Sequence, residues 1–309
     1  MTTQCLRIAT RKSPLALWQA EHVAARLQQH HQQLNVELVK MSTAGDRYLD
    51  GPLSAAGGKG MFLKELEQAL IDSRADLAVH SMKDVTIDLP AGLGIGVLLS
   101  REDPRDALIA APGTTLENLP QGARLGTSSL RRQCQVRAYR PDLEVTDVRG
   151  NVGTRLGKLD KGEFDAIILA AAGVKRLGIA ERVSDYIDPA VLIPAVGQGV
   201  IGIETRLADK AVTALIEPLN DPAAEICLAA ERAVSRRLYG GCMLPIAAHA
   251  VLDADQIKLS GLVGMVDGGE ILHAERSGSA ADAEALGLAV AEDLLAQGAD
   301  RILSELVDD

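Results

Sequence analysis

The sequence predicts an α/β protein of two hinged lobes, each a doubly wound sheet of mainly parallel strands, followed by a small α+β domain with an antiparallel sheet. Short aliphatic runs alternate with amphipathic helical segments, which is typical of parallel sheets covered on both faces. Two tracts rich in polar residues, proline or glycine interrupt this alternation. The 309 residues, 47% of them hydrophobic, are enough for two or three domains with their own cores.

The first lobe is predicted from residues 1–99 and 200–217. Ser13 followed by Pro14 predicts a helix start, with serine as the N-cap and proline at the first helical position. An aliphatic run at 200–204 predicts a strand that rejoins the first sheet. The remaining elements of this lobe are strands over 6–9, 36–41, 77–80 and 95–99 and helices over 14–29 and 62–73.

The second lobe is predicted from residues 105–193, with strands near Leu108, Arg124, Val145 and Ile167. The polar tract 100–106 leads into this lobe. The tract 193–199, which contains proline and glycine, leads out of it. Two such crossings predict a hinge between the lobes.

The third domain is predicted from residues 222–309, after a proline-containing boundary at 217–222. A helix is expected over 223–238 and another over 281–297, with strands over 247–252 and 257–263 between them. Strands joined by glycine-rich turns predict an antiparallel sheet.

Composition excludes several classes of function. A pI near 5.2 and an aromatic content of 2% provide neither the basic surface nor the stacking platforms that nucleic-acid binding requires. No stretch of eighteen apolar residues and no secretory signal pattern is present, so we expect a cytoplasmic protein that does not enter membranes. The four cysteines form no C-x-x-C pair, and the histidines lack metal-ligand spacing, so no metal site is predicted.

Arginines cluster in the second lobe of this acidic chain. Residues 124–176 hold eleven Lys/Arg and six Asp/Glu, whereas the whole chain has a formal net charge of −10. Several of the arginines stand beside glycines or helix starts, in 127–132, 149–155 and 173–176. A guanidinium binds carboxylate or phosphate through paired donors, and glycines let backbone N–H groups approach the same anion. The clustering indicates either a site for a small anionic ligand or a set of solvated surface charges, and both interpretations remain open at this point.

Two glycine motifs do not predict nucleotide binding. The pair Gly58-Lys59 lacks the first glycine of a P-loop, and Gly60 stands where Ser or Thr would hold magnesium. The sequence at 197–202 matches G-x-G-x-x-G, but it runs into a predicted strand rather than a helix.

Asp84 and Cys242 are the two candidate reactive groups. Asp84 follows the buried strand 77–80, at the carboxyl end where open α/β sheets bind ligands, although a carboxylate that only caps a turn is an alternative. Cys242 follows two glycines at the end of a helix, which predicts a thiol exposed on a loop. Cys227 lies among apolar residues of the preceding helix and is predicted to be buried.

Together these residues resemble the porphobilinogen deaminase (hydroxymethylbilane synthase) family. The matching motifs occur in family order along nearly the whole chain, at 7–16, 57–60, 80–84, 101–106, 126–132, 149–155, 194–199 and 240–242. The resemblance implies a monomeric transferase that joins four porphobilinogen molecules head to tail with loss of ammonia and then releases the linear tetrapyrrole to water. It also implies no metal and a dipyrromethane primer bound through a thioether to Cys242.

The resemblance assigns a role to each candidate residue. Asp84 would face the pyrrole N–H groups, stabilise the positive azafulvene-like intermediate and assist proton transfer. Because each pyrrole carries an acetate and a propionate, the primer with four added rings brings twelve carboxylates to one cleft. The residues implied to bind the cofactor, beside Cys242, are Lys83, Ser129, Arg131, Arg132, Gly150 and Arg155; those implied to bind substrate are Arg11, Ser13, Lys59, Arg149 and Arg176.

Three positions depart from the family pattern. Ala55 stands where many bacterial members have lysine, Thr86 where proline is frequent, and Met243 where glutamine is common. None of these changes removes a catalytic group, but the alanine leaves Lys59 as the remaining candidate for a flap contact.

A two-lobed anion-binding module, such as a solute-binding receptor of the periplasmic-binding-protein type or the effector domain of a regulator, is the alternative function. Such a module would explain the arginines and the hinge without a role for Cys242. Binding of porphobilinogen without release of ammonia would favour it.

Overall fold

The computed structural model describes residues 5–47, 60–238 and 244–305, with the side chain of residue 47 excluded. The chain divides into two compact units, which we describe separately. Unit 1 comprises Met1–Arg101 and Val200–Glu225, and unit 2 comprises Glu102–Gly199 and Ile226–Asp309. None of the helices in the described ranges combines the length and apolar character that a membrane crossing requires.

Unit 1 is a five-stranded mixed sheet flanked by helices. Its strands are β1 (Cys5–Arg11), β2 (Asn35–Met41), β3 (Leu77–Ser81), β4 (Leu93–Leu98) and β10 (Ile201–Arg206). Its helices are α1 (Pro14–His30), α2 (Ala44–Arg47), α3 (Lys64–Ile71) and α7 (Lys210–Ile216), and α8 (Pro222–Arg237) begins here and continues into unit 2.

The order of strands in the unit 1 sheet is β2-β1-β3-β10-β4. Strand β1 is parallel to β2 and β3, whereas β10 is antiparallel to both β3 and β4. Helix α1 covers one face through Ala20, Val23 and Leu27, and α3 covers the other through Leu66, Ala69 and Leu70. The sheet is therefore buried on both faces, as the aliphatic runs predict.

The first sheet of unit 2 repeats this plan. Its strands are β5 (Asp106–Ile109), β6 (Arg124–Gly126), β7 (Glu144–Thr146), β8 (Ala166–Ala170) and β9 (Asp185–Ile187), in the order β7-β6-β8-β5-β9. Strand β6 is parallel to β7 and β8, and β5 is antiparallel to β8 and β9. The helices are α4 (Leu130–Tyr139), α5 (Val152–Asp160) and α6 (Ala171–Arg176).

The second sheet of unit 2 is antiparallel and has three strands, β11 (Ile246–Asp253), β12 (Gln256–Gly264) and β13 (Ile271–Ser279). Its core is formed with α8, α9 (Ala283–Ala296) and α10 (Ala299–Glu305), through residues such as Val234, Val290 and Ile302. The predicted fold class, two mainly parallel α/β sheets and a small antiparallel α+β sheet, is confirmed.

Candidate active site

Asp84 lies in a short turn that three contacts fix in unit 1. Strand β3 ends at Ser81 and continues as a single 3₁₀ turn, Met82–Asp84. The Met82 N–H donates to the Val200 carbonyl at 3.0 Å, and Met82 packs against Gly202, where a Cβ atom would lie 2.1 Å from its sulfur. Ser81 accepts a 2.8 Å hydrogen bond from the Gln19 side chain of α1. The position of Asp84 is therefore set by the sheet and by α1 rather than by a free loop.

The Asp84 pocket is a small cavity at this end of the unit 1 sheet, with a volume of about 60 Å³. Asp84 is half-buried, and its carboxylate accepts no hydrogen bond from any residue in the described ranges. A carboxylate in this state is available to a ligand. The pocket is lined by Arg11, Ser13, Leu15, Ala16, Gln19, Phe62, Leu63, Val79, His80, Ser81 and Asp84.

Arg11 brings a positive charge to the Asp84 pocket, but this charge has an internal partner. Its guanidinium pairs with Asp46 and lies 4.1 Å from the centre of the Phe62 ring. Burial raises the pKa of Asp46, but hydrogen bonds and charge from Arg11, with further hydrogen bonds from Thr43, lower that pKa below its usual value overall. Asp46 therefore stays ionised and holds the arginine in place.

Ser13 has the capping role that the sequence predicts. It stands before Pro14 with an extended backbone, and its hydroxyl accepts a 3.4 Å hydrogen bond from the Ala16 N–H. The first turn of α1 thus lies beside the Asp84 pocket. Lys83 is half-buried in the same 3₁₀ turn as Asp84.

A buried histidine and glutamate also lie at this pocket, and sequence reasoning missed their pairing. His80 lines the cavity, and its Nε2 lies 2.8 Å from Oε2 of Glu204, which is fully buried. Each residue falls within a predicted buried strand, where ionisable side chains are rare unless they are paired. An ionisable residue within each predicted buried strand was the signal in the sequence that could have pointed to this pair.

The predicted anion-binding motifs of unit 2 converge on one edge of its first sheet, which we call the arginine edge: residues 127–132, 149–155 and 173–176. Strands β6, β7 and β8 run parallel, so their carboxyl ends lie at the same edge, and each motif follows one of these strands. Helices α4, α5 and α6 begin there, so their N-terminal N–H groups also point toward this edge.

Arg131 and Arg132 are buried and share one carboxylate. Arg131 contacts Asp106 at 2.8 Å and Arg132 contacts it at 2.7 Å, while Gln198 donates to the same carboxylate at 2.9 Å. Burial raises the pKa of Asp106, but the two guanidinium charges outweigh it and hold that pKa well below its usual value. Two guanidiniums and one carboxylate leave a net positive charge. The arginines are only 4% and 5% exposed, so most of their donors bind within the protein.

The turn that follows β7 holds more accessible donors. Gly150 has φ +107°, and a Cβ atom there would lie 2.6 Å from Thr154, so glycine is required. Asn151 caps α5 by accepting the Thr154 N–H at 3.0 Å. The backbone N–H groups of Gly150 and Asn151 have no acceptor among the described residues. Arg149 is half-buried beside them.

The other predicted cationic residues of unit 2 contact backbone carbonyls. The Arg155 Nε donates to the Gly150 carbonyl at 2.8 Å, which braces the same turn. Arg176 donates to the Gly199 carbonyl at 2.6 Å, and burial lowers the pKa of Arg176 to about 10. Ser129 is half-buried at the start of α4. Ser129, Arg149, Gly150 and Arg155 therefore lie together at the arginine edge. This edge also contains arginines whose guanidiniums bond to groups within the protein.

Two predicted site residues, Cys242 and Lys59, lie outside the described residues, as do the departures Ala55 and Met243. Cys227 is buried, as predicted. Cys134 is also buried, and burial raises the pKa of its thiol to about 12, which makes it unreactive. Within the described part of the chain, no cluster of three or more His, Cys, Asp or Glu side chains could hold a metal ion.

Comparison with protein families covers both units. Residues 6–214 match the family described as "Porphobilinogen deaminase, dipyromethane cofactor binding domain". Residues 225–296 match the family described as "Porphobilinogen deaminase, C-terminal domain".

Among similar solved structures is the periplasmic aliphatic sulphonate binding protein SsuA from Escherichia coli, with 16% identity, coverage of 76% of this chain and 70% of that chain, and a TM-score of 0.42. Another is the BvgS periplasmic VFT2 domain of Bordetella pertussis, with 14% identity, coverage of 69% and 85%, and a TM-score of 0.41. A third is a ligand-binding component of an ABC-type import system from Staphylococcus aureus, with 11% identity, coverage of 75% and 73%, and a TM-score of 0.42.

Proposed function

This chain belongs to the porphobilinogen deaminase family, whose members are hydroxymethylbilane synthases of tetrapyrrole biosynthesis, and we propose that it joins four porphobilinogen molecules head to tail and releases hydroxymethylbilane by hydrolysis. Each addition releases ammonia. The observation that carries this mechanism is the open carboxylate of Asp84 at the carboxyl end of β3, beside the cationic Arg11.

The family uses a dipyrromethane cofactor, and the donors of the arginine edge fit such a group. A dipyrromethane carries acetate and propionate arms. The N–H groups of Gly150 and Asn151, which have no acceptor among the described residues, lie beside Arg149 and have the chemistry to bind these arms. We propose Cys242 as its point of attachment, through a thioether. When bound, the cofactor supplies the free pyrrole carbon to which the first unit is added.

Asp84 acts on the substrate in this proposal. Loss of ammonia leaves positive charge on the substrate ring, and a fixed carboxylate opposes that charge without having to reorganise. The same group accepts a proton as the new carbon–carbon bond is completed. Because the 3₁₀ turn is fixed by Val200 and Gly202, Asp84 is held in one position through successive additions.

The cationic residues bind carboxylate arms in this proposal. Arg131 and Arg132 contribute mainly through the net charge that remains after pairing with Asp106, because their donors are largely occupied. The remaining ligands are proposed from the family motifs, with cofactor arms taken by Lys83, Ser129, Gly150 and Arg155 and substrate arms by Arg11, Ser13, Lys59, Arg149 and Arg176.

Intact mass spectrometry tests the cofactor and its attachment together. The purified chain should carry the mass of two pyrrole units, and Cys242→Ser should remove it. The matched control is Cys5→Ser, which changes an exposed thiol and should keep the added mass. A folded, active wild type without added mass would contradict the covalent primer.

Incubation with porphobilinogen tests the reaction. We expect release of ammonia together with a linear tetrapyrrole. Binding without ammonia release would instead indicate an anion-binding module. The family assignment also leads us to propose a monomeric cytoplasmic enzyme, which size-exclusion chromatography with light scattering and cell fractionation can test.

A further inference from the structure

His80 and Glu204 are paired across two adjacent antiparallel strands of unit 1. His80 of β3 stands opposite Gly202 of β10, and Glu204 stands opposite Ala78, so the two side chains are diagonal neighbours on one face of the sheet. Their side chains are 4% and 0% exposed, and Nε2 lies 2.8 Å from Oε2. A buried pair of this kind is weak support for stability, because the desolvation of the two groups offsets most of their attraction.

The pair belongs to a buried acid–base cluster with more carboxylates than imidazoles. Glu67 of α3 is buried nearby, and its pKa is raised, first by burial and then by the charge of Glu204, while His80 and Lys64 oppose the rise. The second carboxylate oxygen of Glu204, Oε1, is buried without a hydrogen-bond partner in the described structure. An incompletely satisfied cluster in a sheet interior is costly, which favours a functional reason for it.

The pairing with Glu204 leaves the second ring nitrogen of His80 unused. Nδ1 has no hydrogen-bond partner among the described residues. Because His80 is one of the residues that line the Asp84 pocket, Nδ1 is the ring atom available for exchange with that pocket. Nε2 is held by a carboxylate, which fixes it as a donor. The geometry resembles the carboxylate–histidine pairs that orient an imidazole in general acid–base catalysis.

We propose that His80 and Glu204 form a proton relay behind Asp84, an inference that rests on the proposed function. His80 and Asp84 both line this cavity, which has room for water, so His80 exchanges protons with Asp84 through pocket water. His80 and Glu204 are accordingly positioning residues that act through Asp84.

The proton balance of the reaction gives the relay its role. Each condensation breaks a carbon–nitrogen bond, whose electron pair leaves with the amine, and the amine takes up a proton to depart as ammonia. A carbon–carbon bond then forms, and the carbon–hydrogen bond at the condensing position breaks, leaving its electron pair in the ring. The relay donates the first proton through Asp84 and recovers the second, so it ends each cycle unchanged. Glu204 stabilises the His80 imidazolium before the first transfer and again after the second, and between the two transfers the imidazole is neutral.

The ring tautomer of His80 tests the relay without any reaction. In ¹⁵N NMR spectra of the full chain, we expect hydrogen on Nε2 and an unprotonated Nδ1 once the imidazole is neutral. In Glu204→Gln the preference for this tautomer should be lost, because an amide can either donate or accept. The His80→Gln spectrum assigns the signals. Hydrogen on Nδ1 in the wild type, or an unchanged spectrum in Glu204→Gln, would overturn the proposal.

Kinetics separate the relay from a merely structural role. We expect kcat to fall about 100-fold in His80→Gln and about 10-fold in Glu204→Gln, with KM within about twofold of wild type. The matched control is His31→Gln, which changes a histidine that bonds the Leu215 carbonyl away from the pocket, and its kcat should not change. Wild-type kcat in both pocket variants would reject the relay.

Circular dichroism, intact mass and the yield of tetrapyrrole from the wild type keep the outcomes separate. Circular dichroism and intact mass verify that each variant is folded and carries the cofactor; if His80→Gln does not fold, Glu204→Gln decides by the same criteria. A wild type that forms no tetrapyrrole would remove the proposed function. A wild type that forms tetrapyrrole, with both pocket variants equally active, would remove only the relay.

Discussion

Replacing Asp106 with asparagine should destabilise unit 2 by about 3 kcal/mol. Asp106 is fully buried and accepts hydrogen bonds from Arg131, Arg132 and Gln198. The substitution keeps the shape of the side chain but removes its charge. Two buried guanidiniums then share no carboxylate, which is the costly case for a buried ion pair.

The size of this destabilisation follows from the hydrogen bond that the asparagine side chain can still accept. Loss of one partner from a buried pair costs about 3–5 kcal/mol, and the amide oxygen can still accept a hydrogen bond, so we take the lower value. For a unit of this size that loss corresponds to a fall in Tm of roughly 6–12 °C. The matched control is Asp165→Asn, which breaks the surface pair with Arg124 and should destabilise the protein far less.

The pH dependence gives a second, independent check. The pKa of Asp106 is lowered in the folded state, so its stabilising effect is complete above the pKa of the unfolded chain and is lost as the pH falls toward the folded value. The difference in the free energy of unfolding between wild type and Asp106→Asn should therefore be constant from pH 7 to 5 and shrink below about pH 4. Calorimetric unfolding of both proteins across this pH range measures that difference. A difference equal to that of Asp165→Asn, or one that grows on acidification, would refute this reasoning.

Three other substitutions test the site and the fold. Asp84→Asn should slow ammonia release at least about 100-fold while leaving Tm unchanged, because only the charge opposite the substrate is lost; a near-normal rate would exclude its proposed role. Gly202→Ala places a Cβ atom 2.1 Å from the Met82 sulfur and should cost about 1–3 kcal/mol in urea unfolding and lower kcat. Gly157→Ala adds a methyl group within α5 that meets nothing within 4 Å, so it should stabilise by about 0.5–1 kcal/mol without changing activity.

The sequence was sufficient where local chemistry decides the structure. The Ser13-Pro14 pair predicts the start of α1, and the hydroxyl does cap that helix. The apolar run after the 193–199 tract predicts a strand that rejoins the first sheet, and β10 confirms it. The sequence predicts that α1 buries Leu17, Ala20, Ala24 and Leu27. Ala20 and Leu27 are buried, but Ala16 and Val23 are buried in place of Leu17 and Ala24. Neighbouring apolar residues leave the rotation of a helix undetermined until its packing partners are known.

Pairings between distant residues could not be predicted in this way. A cluster of arginines indicates positive charge, but it does not show that Asp106, 25 residues before Arg131, takes up two of them. The His80–Glu204 pair spans 124 residues and depends on the register of two strands. The sequence analysis also missed strand β9, Asp185–Ile187.

The position of β10 has a consequence for how the chain folds during synthesis. Within the described residues, β4 pairs only with β10, which is made about 100 residues later. At roughly 5–20 residues per second, a ribosome needs about 5–20 s to supply that partner. The first sheet of unit 2 is encoded entirely within this interval, so it can assemble while β4 still presents an unpaired edge. We expect nascent chains that stop before Ile201 to aggregate or to require a chaperone, because their first sheet cannot close.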